Sequence, residues 1–197
     1  MIVRRIALIS IALIAATASG CSISATSKYY TLDSTAAPDG APVAHANVMV
    51  GPVTIPASVD RPEFVVQVAP NRVEVDEFNR WISPLNDAVA RAVAGDLVVM
   101  LGTPDVATSS LANFEPVYRV TIDIQRFDSI RGEAAVLEAV WTVRKTAGGE
   151  TRSGRTVARE TVQSQGFDAL AAAHSRAITR MSADIAAAIR AESEQKP

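Results

Sequence analysis

The chain has 197 residues, which is enough for one domain with its own apolar core. Its 19 basic and 21 acidic side chains give a formal net charge of −2 at pH 7, so it lacks the basic excess that binding to nucleic acid or to anionic lipid head groups requires. The single cysteine excludes a disulfide within the chain, and the 48% of hydrophobic residues must therefore hold the fold together.

The first 20 residues have the order of charge and hydropathy that is typical of a secretory signal peptide. Arg4 and Arg5 give a positive start, residues 6–16 are almost entirely apolar, and residues 17–20 are small. The apolar run is shorter than the roughly 20 residues that a membrane-spanning helix needs, which argues against the alternative of an uncleaved anchor. We therefore predict that residues 1–20 direct export and are removed.

The junction at residues 18–21 resembles the lipobox of bacterial lipoproteins, although that family prefers a branched residue where Ala18 stands. The resemblance implies cleavage before Cys21, acylation of its thiol and new amino terminus, and a lipidated tether over residues 21–28. The alternative, cleavage elsewhere, would leave an odd free cysteine in an exported protein, which invites intermolecular pairing. Ser22 follows the cysteine, and in enteric-type lipoproteins this implies delivery to the outer membrane.

The first half of the mature chain is rich in turns, since nine of the ten prolines lie within the first 116 residues. Alternation predicts a strand after the tether, a loop, a strand that ends near Pro56, and two strands about a tight turn at residues 69–71. Ser83 and Pro84 are typical of an N-cap and a first helical position. Apolar residues at helical spacing then predict a helix that ends at Gly102, with Asp96 on its apolar stripe and no partner evident.

The second half predicts an antiparallel meander and a final helix. Three strands are expected in residues 115–128, 133–146 and 151–163, joined by links of hairpin length. A helix should begin after Asp168 and the last residues, 192–197, should fray. The elements together predict one α+β domain over residues 29–191, a two-layer sandwich whose mainly antiparallel sheet carries two amphipathic helices on one face.

The sequence argues against an enzyme and predicts no cofactor and no metal site. His45 lies in a predicted loop, and His174 on the apolar stripe of the last helix is interpreted as a core histidine with one neighbour. Glu74, Asp76 and Glu77 could bind a cation, but alternating exposure along a strand explains the first two more simply. None of the common catalytic or phosphate-binding motifs is present.

Three segments are similar to the PqiC-like family of ABC-type transport auxiliary lipoproteins: residues 29–33, 50–67 and 77–97, the last two through Pro56, Asp60-Arg61-Pro62 and Arg80-Trp81. The resemblance implies a lipoprotein attached through Cys21 to the outer membrane and facing the periplasm. It further implies that the protein forms a homo-oligomeric ring and couples an MCE-domain protein and its ABC-type permease to that membrane during lipid transport. A different interpretation is a carrier whose sheet and helices enclose a lipid or another apolar ligand.

Partner-binding residues are expected on two surfaces. Residues 51–62 contain three prolines and should leave the sheet as a stiff excursion carrying Arg61, unless Arg61 pairs locally with Asp60 or Glu63. Arg155 and Arg159, on the most polar strand of the meander, have no obvious acidic run beside them and are assigned to the same interface. Trp81 is expected to close the core above the first helix.

We predict that Cys21 carries the acyl chains and is the first residue of the mature protein, because a signal peptide and small residues precede the only cysteine. Intact-mass analysis of protein extracted from membranes should give a mature chain that begins at Cys21 with the added mass of the acyl groups. A different amino terminus with an unmodified thiol would contradict the prediction.

Overall fold

The computed structural model describes residues 26–44, 46–109 and 113–194. The predictions for the signal peptide, Cys21 and His45 lie outside these residues. Two helices and eight strands follow one another in the order β1 (Lys28–Tyr30), β2 (Val48–Thr54), β3 (Glu63–Ala69), β4 (Arg72–Trp81), α1 (Leu85–Leu101), β5 (Val106–Ala107), β6 (Tyr118–Ile130), β7 (Ala134–Lys145), β8 (Thr151–Thr161) and α2 (Phe167–Glu194).

All eight described strands form one mixed sheet, which curls into a half-barrel. The expectation of a mainly antiparallel sheet is wrong, because four of the seven pairings between described strands are parallel: β1 with β4, β2 with β5, and β6 with both β2 and β3. The reason is that β2 and β3 lie in succession along the same edge of β6, beside its beginning and its end, and both run in the same direction as β6.

The antiparallel meander β6–β7–β8 is confirmed. Alternate residues of β6 are buried from Tyr118 to Ile124, as the alternation predicts, while their neighbours face outward. Gly154 of β8 pairs with Trp141 of β7, and a Cβ atom at residue 154 would lie 2.2 Å from the tryptophan ring. Glycine is therefore required where the ring crosses β8, and the indole nitrogen donates a hydrogen bond to Thr156 at 3.1 Å.

Both helices pack against the sheet and against each other, and neither is long and apolar enough to cross a membrane. α1 ends where predicted, at Gly102 with a φ of 67°. The predicted cap at Ser83 is wrong: Pro84 precedes the first helical residue, and Ser83 instead accepts a hydrogen bond from Arg91 at 2.6 Å. α2 extends to Glu194, beyond its predicted end at residue 191.

An aromatic cluster fills the core between β1, β3, β4 and α2. Trp81 is 5% exposed and stacks on Phe64 with ring centroids 4.1 Å apart, so its predicted core position is confirmed. Tyr30 and Phe167 contact Phe64 at 5.4 and 5.2 Å. Rings that meet edge to face or offset add stability beyond the area they bury, and here they fix β1 and the start of α2 to the hairpin β3–β4.

Asp96 joins both helices to the chain segment that follows β1. The side chain is fully buried on α1, and its Oδ1 accepts hydrogen bonds from Ser34 Oγ at 2.7 Å, from the backbone nitrogens of Thr35 and Ala36 at 3.2 Å each, and from Thr179 Oγ1 of α2 at 3.1 Å. This supplies the partners that the sequence did not reveal. Hydrogen bonds to a charged group are the strong ones, particularly where water is excluded.

The preceding residue, Gly95, permits this contact. A Cβ atom at position 95 would lie 3.0 Å from Cβ of Ser34, which is too close without a shift of the backbone segment. A glycine within a helix costs about 1 kcal/mol relative to alanine. The close approach of the segment that binds Asp96 accounts for its presence.

We predict that Asp96→Ala lowers the free energy of unfolding by about 2 kcal/mol, because it removes a fully buried acceptor that four part-buried donors share. Asp96→Asn keeps an oxygen acceptor and should cost less. Urea titration of the purified protein measures both, and Asp87→Ala on the exposed face of α1 is the control, expected to change stability by about 1 kcal/mol or less. A loss in Asp96→Ala no larger than in the control would contradict the prediction.

Candidate partner interface

The proline-rich excursion between β2 and β3 is shorter than the sequence suggests. Residues 51–54 stay within β2, and only residues 55–62 leave the sheet. This segment is ordered by its own backbone, since the nitrogens of Val59 and Asp60 donate to the carbonyl oxygen of Pro56 at 3.0 and 3.1 Å. The excursion is therefore a compact turn that holds Arg61 at the surface, beside the start of β3.

Arg61 is exposed and makes no ion pair within the described part of the chain. The alternative of local pairing with Glu63 is contradicted, because Glu63 pairs with Arg80 at 2.9 Å. Arg61 borders two surface cavities, one of about 440 Å³ that also contains Val73 and Val75, and one of about 320 Å³ beside Trp81 and Ile82. A cation without a carboxylate partner next to apolar side chains can bind an acidic or amphipathic partner.

The arginines of β8 differ from the expectation, because they are not free cations. Arg155 pairs with Glu138 of β7, and Arg159 pairs with Glu133, the residue before β7. Arg152 pairs with Glu192 at the end of α2. Two further ion pairs join β8 to α2, since Glu160 pairs with both Arg176 and Arg180. The side chains of Arg155 and Arg159 stay about half exposed in these pairs, so they remain accessible to a partner.

Glu192 shows how one of these pairs is held. Its side chain is 6% exposed, and the hydrogen bond from Arg152 lowers the pKa of its carboxyl below the ordinary value. The last turn of α2 is therefore fixed to β8 instead of fraying from residue 192 as predicted.

Strand β8 is an edge strand in the described sheet, because it pairs with β7 and with no other described strand. Val157, in its middle, is 67% exposed between Arg155 and Arg159. An edge of 11 residues presents unpaired backbone donors and acceptors, which can pair with a strand of another chain. Arg155 and Arg159, the two arginines that the sequence assigns to the interface, thus lie on a surface that presents backbone hydrogen-bonding groups as well as charged side chains.

His174 is confirmed as a core histidine. It is fully buried, its Nε2 lies 2.8 Å from Ser129 Oγ, and its ring stacks on Phe127 with centroids 3.9 Å apart. Burial lowers the pKa of His174 to about 3 from an ordinary value of 6.5. The ring is neutral near pH 7 and packs in the core, so its role is structural.

The acidic residues of β4 are engaged in other contacts. Glu74 pairs with Arg131 at 2.8 Å, and Asp76 accepts hydrogen bonds from the backbone of Phe78 at 3.0 Å and of Asn79 at 2.9 Å. These bonds outweigh the desolvation of Asp76 and lower the pKa of its carboxyl. Asp76 therefore shapes an irregularity of β4, and the contacts do not support the cation-binding alternative.

The sequence did not point to the apolar side chains around β1. Tyr29 and Ile82 are each 58% exposed, and Phe78 is 46% exposed. The sequence does contain a pattern that could have located them. Each is adjacent to a residue on the inner side of the sheet, Tyr29 to Tyr30, Phe78 to Asn79 and Ile82 to Trp81, so alternation favours the outer face for all three.

The chain is similar to a described protein family and to solved structures. A family model described as "ABC-type transport auxiliary lipoprotein component" matches residues 30–186. A crystal structure of an uncharacterized protein is 20% identical, covers 83% of this chain and 99% of its own, and has a TM-score of 0.68. A Xanthomonas campestris protein described by the family DUF330 is 19% identical, with coverage of 86% and 100% and a TM-score of 0.69. These two similarities show that the chain shares the fold of both proteins.

A PelC dodecamer from Paraburkholderia phytofirmans is 10% identical, covers 71% of this chain and 91% of its own, and has a TM-score of 0.36. At that score the overlap does not establish a shared fold. No curated protein matches the sequence.

We predict that neutral His174 makes stability depend on pH between about 6.5 and 3. The unfolded state binds the extra proton over this interval, so the stability is complete above pH 6.5 and is lost as the pH falls towards 3. The slope reaches about 1.4 kcal/mol per pH unit at most. His174→Phe, which keeps a ring on Phe127, should flatten the urea-measured stability profile between about pH 6.5 and 4.5.

A core substitution without a titratable group supplies the control: Ile178→Val, one turn after His174 on α2 and fully buried, should retain the slope of the unmodified protein. An unchanged slope in His174→Phe would show that other groups cause the dependence.

Proposed function

The chain belongs to the family of ABC-type transport auxiliary lipoprotein components, and on that premise we propose that it couples a periplasmic MCE-type lipid transporter to the outer membrane. In this proposal it acts without catalysis, as a subunit attached through acylated Cys21 and facing the periplasm. The family match over residues 30–186 carries the proposal, because it covers nearly the whole described domain and assigns it a role in transport.

Coupling requires a fixed attachment and a surface that a partner can bind. The attachment is Cys21, seven residues before β1. The partner surfaces are the excursion at residues 55–62, with its unpaired Arg61, and the edge of β8 around Arg155 and Arg159. One surface can bind the MCE-domain protein and the other a second copy of this chain, which a homo-oligomeric ring needs.

The carrier alternative has one observation in its favour, the cavity of about 440 Å³ that Val65, Val73 and Val75 line on the outer side of β3 and β4. The interior between sheet and helices is occupied by a continuous cluster of buried side chains, so a ligand would have to bind outside the core. Lipid extraction and mass spectrometry of the purified protein test this alternative, and a stoichiometric lipid would favour a carrier over a coupler.

We predict that Arg61→Glu weakens binding to the MCE-domain protein or self-association at least tenfold, which is about 1.4 kcal/mol, while the melting temperature stays nearly unchanged. The physical reason is that Arg61 has no ion-pair partner among the described residues and so contributes little to folding. Pull-down, native mass and thermal melting measure the three quantities.

The matched control is Arg144→Glu, an equal charge change at an exposed residue of β7. It should alter none of the three. A lower melting temperature in Arg61→Glu would place Arg61 in a structural network, and unchanged assembly and binding would remove it from the interface.

We also predict that Arg155→Gln weakens association through β8. Gln is preferred to Glu because a new carboxylate would lie beside Glu138 and destabilise β7 and β8 by repulsion. The melting temperature should fall by a few degrees at most, because the Arg155 side chain is more than half exposed. Native mass spectrometry that shows the same oligomer as the unmodified protein would argue against an interface at this edge.

A further inference from the structure

Three exposed apolar side chains cluster around β1, at the opposite edge of the sheet from β8: Tyr29, Phe78 and Ile82, here called the β1 patch. Tyr29 pairs with Arg80, and the exposed Phe78 and Ile82 lie two residues before and after Arg80 in the chain. The patch therefore surrounds Arg80, whose charge is satisfied by Glu63.

The length of the tether limits how far this patch can be from the lipid. Lys28 is the seventh residue after Cys21. A fully extended chain of seven residues spans at most about 25 Å, whereas a domain of this size is about 40 Å across. The domain therefore cannot turn the β1 edge far from the membrane that holds the acyl chains. Tyr29 of the β1 patch is the first exposed large apolar residue after the anchor among the residues that the structure describes, and the pairing of β1 with β4 places it beside Arg80.

The composition of the patch fits the surface of a bilayer. Tyrosine is enriched at the boundary between lipid and water, and an apolar side chain beside it can enter the head-group region. Three side chains offer roughly a few hundred Å² of apolar surface, which is less than the 1,200 Å² or so that a stable protein interface buries.

We propose that the β1 patch rests on the surface of the membrane that anchors the chain, and so fixes the orientation of the domain. The proposal depends on the acylation of Cys21 put forward above. It adds a second, non-covalent contact to the anchor, which turns a tethered domain into an oriented one. Arg61 lines the same cavity as Ile82, so the proposed partner surface borders the membrane contact.

A single introduced cysteine tests the contact. Because the chain has one cysteine, Ile82→Cys or Tyr29→Cys supplies the only free thiol once Cys21 is acylated. The full acylated chain, labelled there with an environment-sensitive fluorophore, is reconstituted into phosphatidylcholine vesicles that contain a nitroxide-labelled lipid. Val157→Cys is the matched control, since Val157 is an exposed apolar residue on the far edge of the sheet.

The expected result is quenching by the nitroxide lipid that is several-fold stronger at residues 29 and 82 than at residue 157, with a blue-shifted emission. Quenching equal to that at residue 157 would overturn the proposal. So would a blue shift without quenching, accompanied by cross-linking between chains, because the patch would then bind a second copy. Thermal melting of each variant verifies that the fold is kept.

Intact mass separates this failure from failure of the anchor. If Cys21 is not acylated, each variant takes two labels, and both the anchor and the membrane contact are refuted. If one label is found and quenching is weak, the anchor stands and only the patch is refuted.

Discussion

The buried carboxylate of Asp96 is the contact on which the arrangement of the chain around the helices depends. One oxygen receives hydrogen bonds from residues 34–36 and from Thr179, so a single side chain of α1 holds both α2 and the segment that follows β1. Thr35 is tied to Thr179 in addition, with their hydroxyl oxygens 2.7 Å apart. Because this segment leads directly from β1, the contact also fixes the place where the tether enters the domain.

The sequence predicts the elements that are stabilised by neighbours in the chain and misses the contacts between distant elements. The meander, the hairpin at Pro70 and both helices follow from alternation, helical spacing and turn residues, and all are present. The parallel pairings of β6 with β2 and β3 leave no local signal, because a strand has the same alternation whichever neighbour it pairs with. The two-residue strand β5 is too short to have a pattern.

The same distinction applies to the candidate interface. Spacing along β8 shows a row of arginines, but the carboxylates that pair with them lie on β7, near its start and on α2, up to 40 residues away in the chain. Conversely, Arg61 has two acidic neighbours in the sequence and pairs with neither, because Glu63 is directed to Arg80 by the pairing of β3 with β4. Charge in the sequence thus gives the composition of a surface, and tertiary contacts decide which cations stay free.

The topology of the sheet would separate the proposed attachment near β1 from the proposed association at β8. From β1 the hydrogen-bonded path runs through β4, β3, β6 and β7 to β8, five strand spacings in all. At about 4.8 Å each this corresponds to about 24 Å along the curled sheet. The edge that receives the tether is therefore physically distinct from the edge that carries Arg155 and Arg159. In the proposed arrangement, a membrane at β1 would leave the backbone of β8 open to another chain, so that the domain could be anchored and bound at the same time.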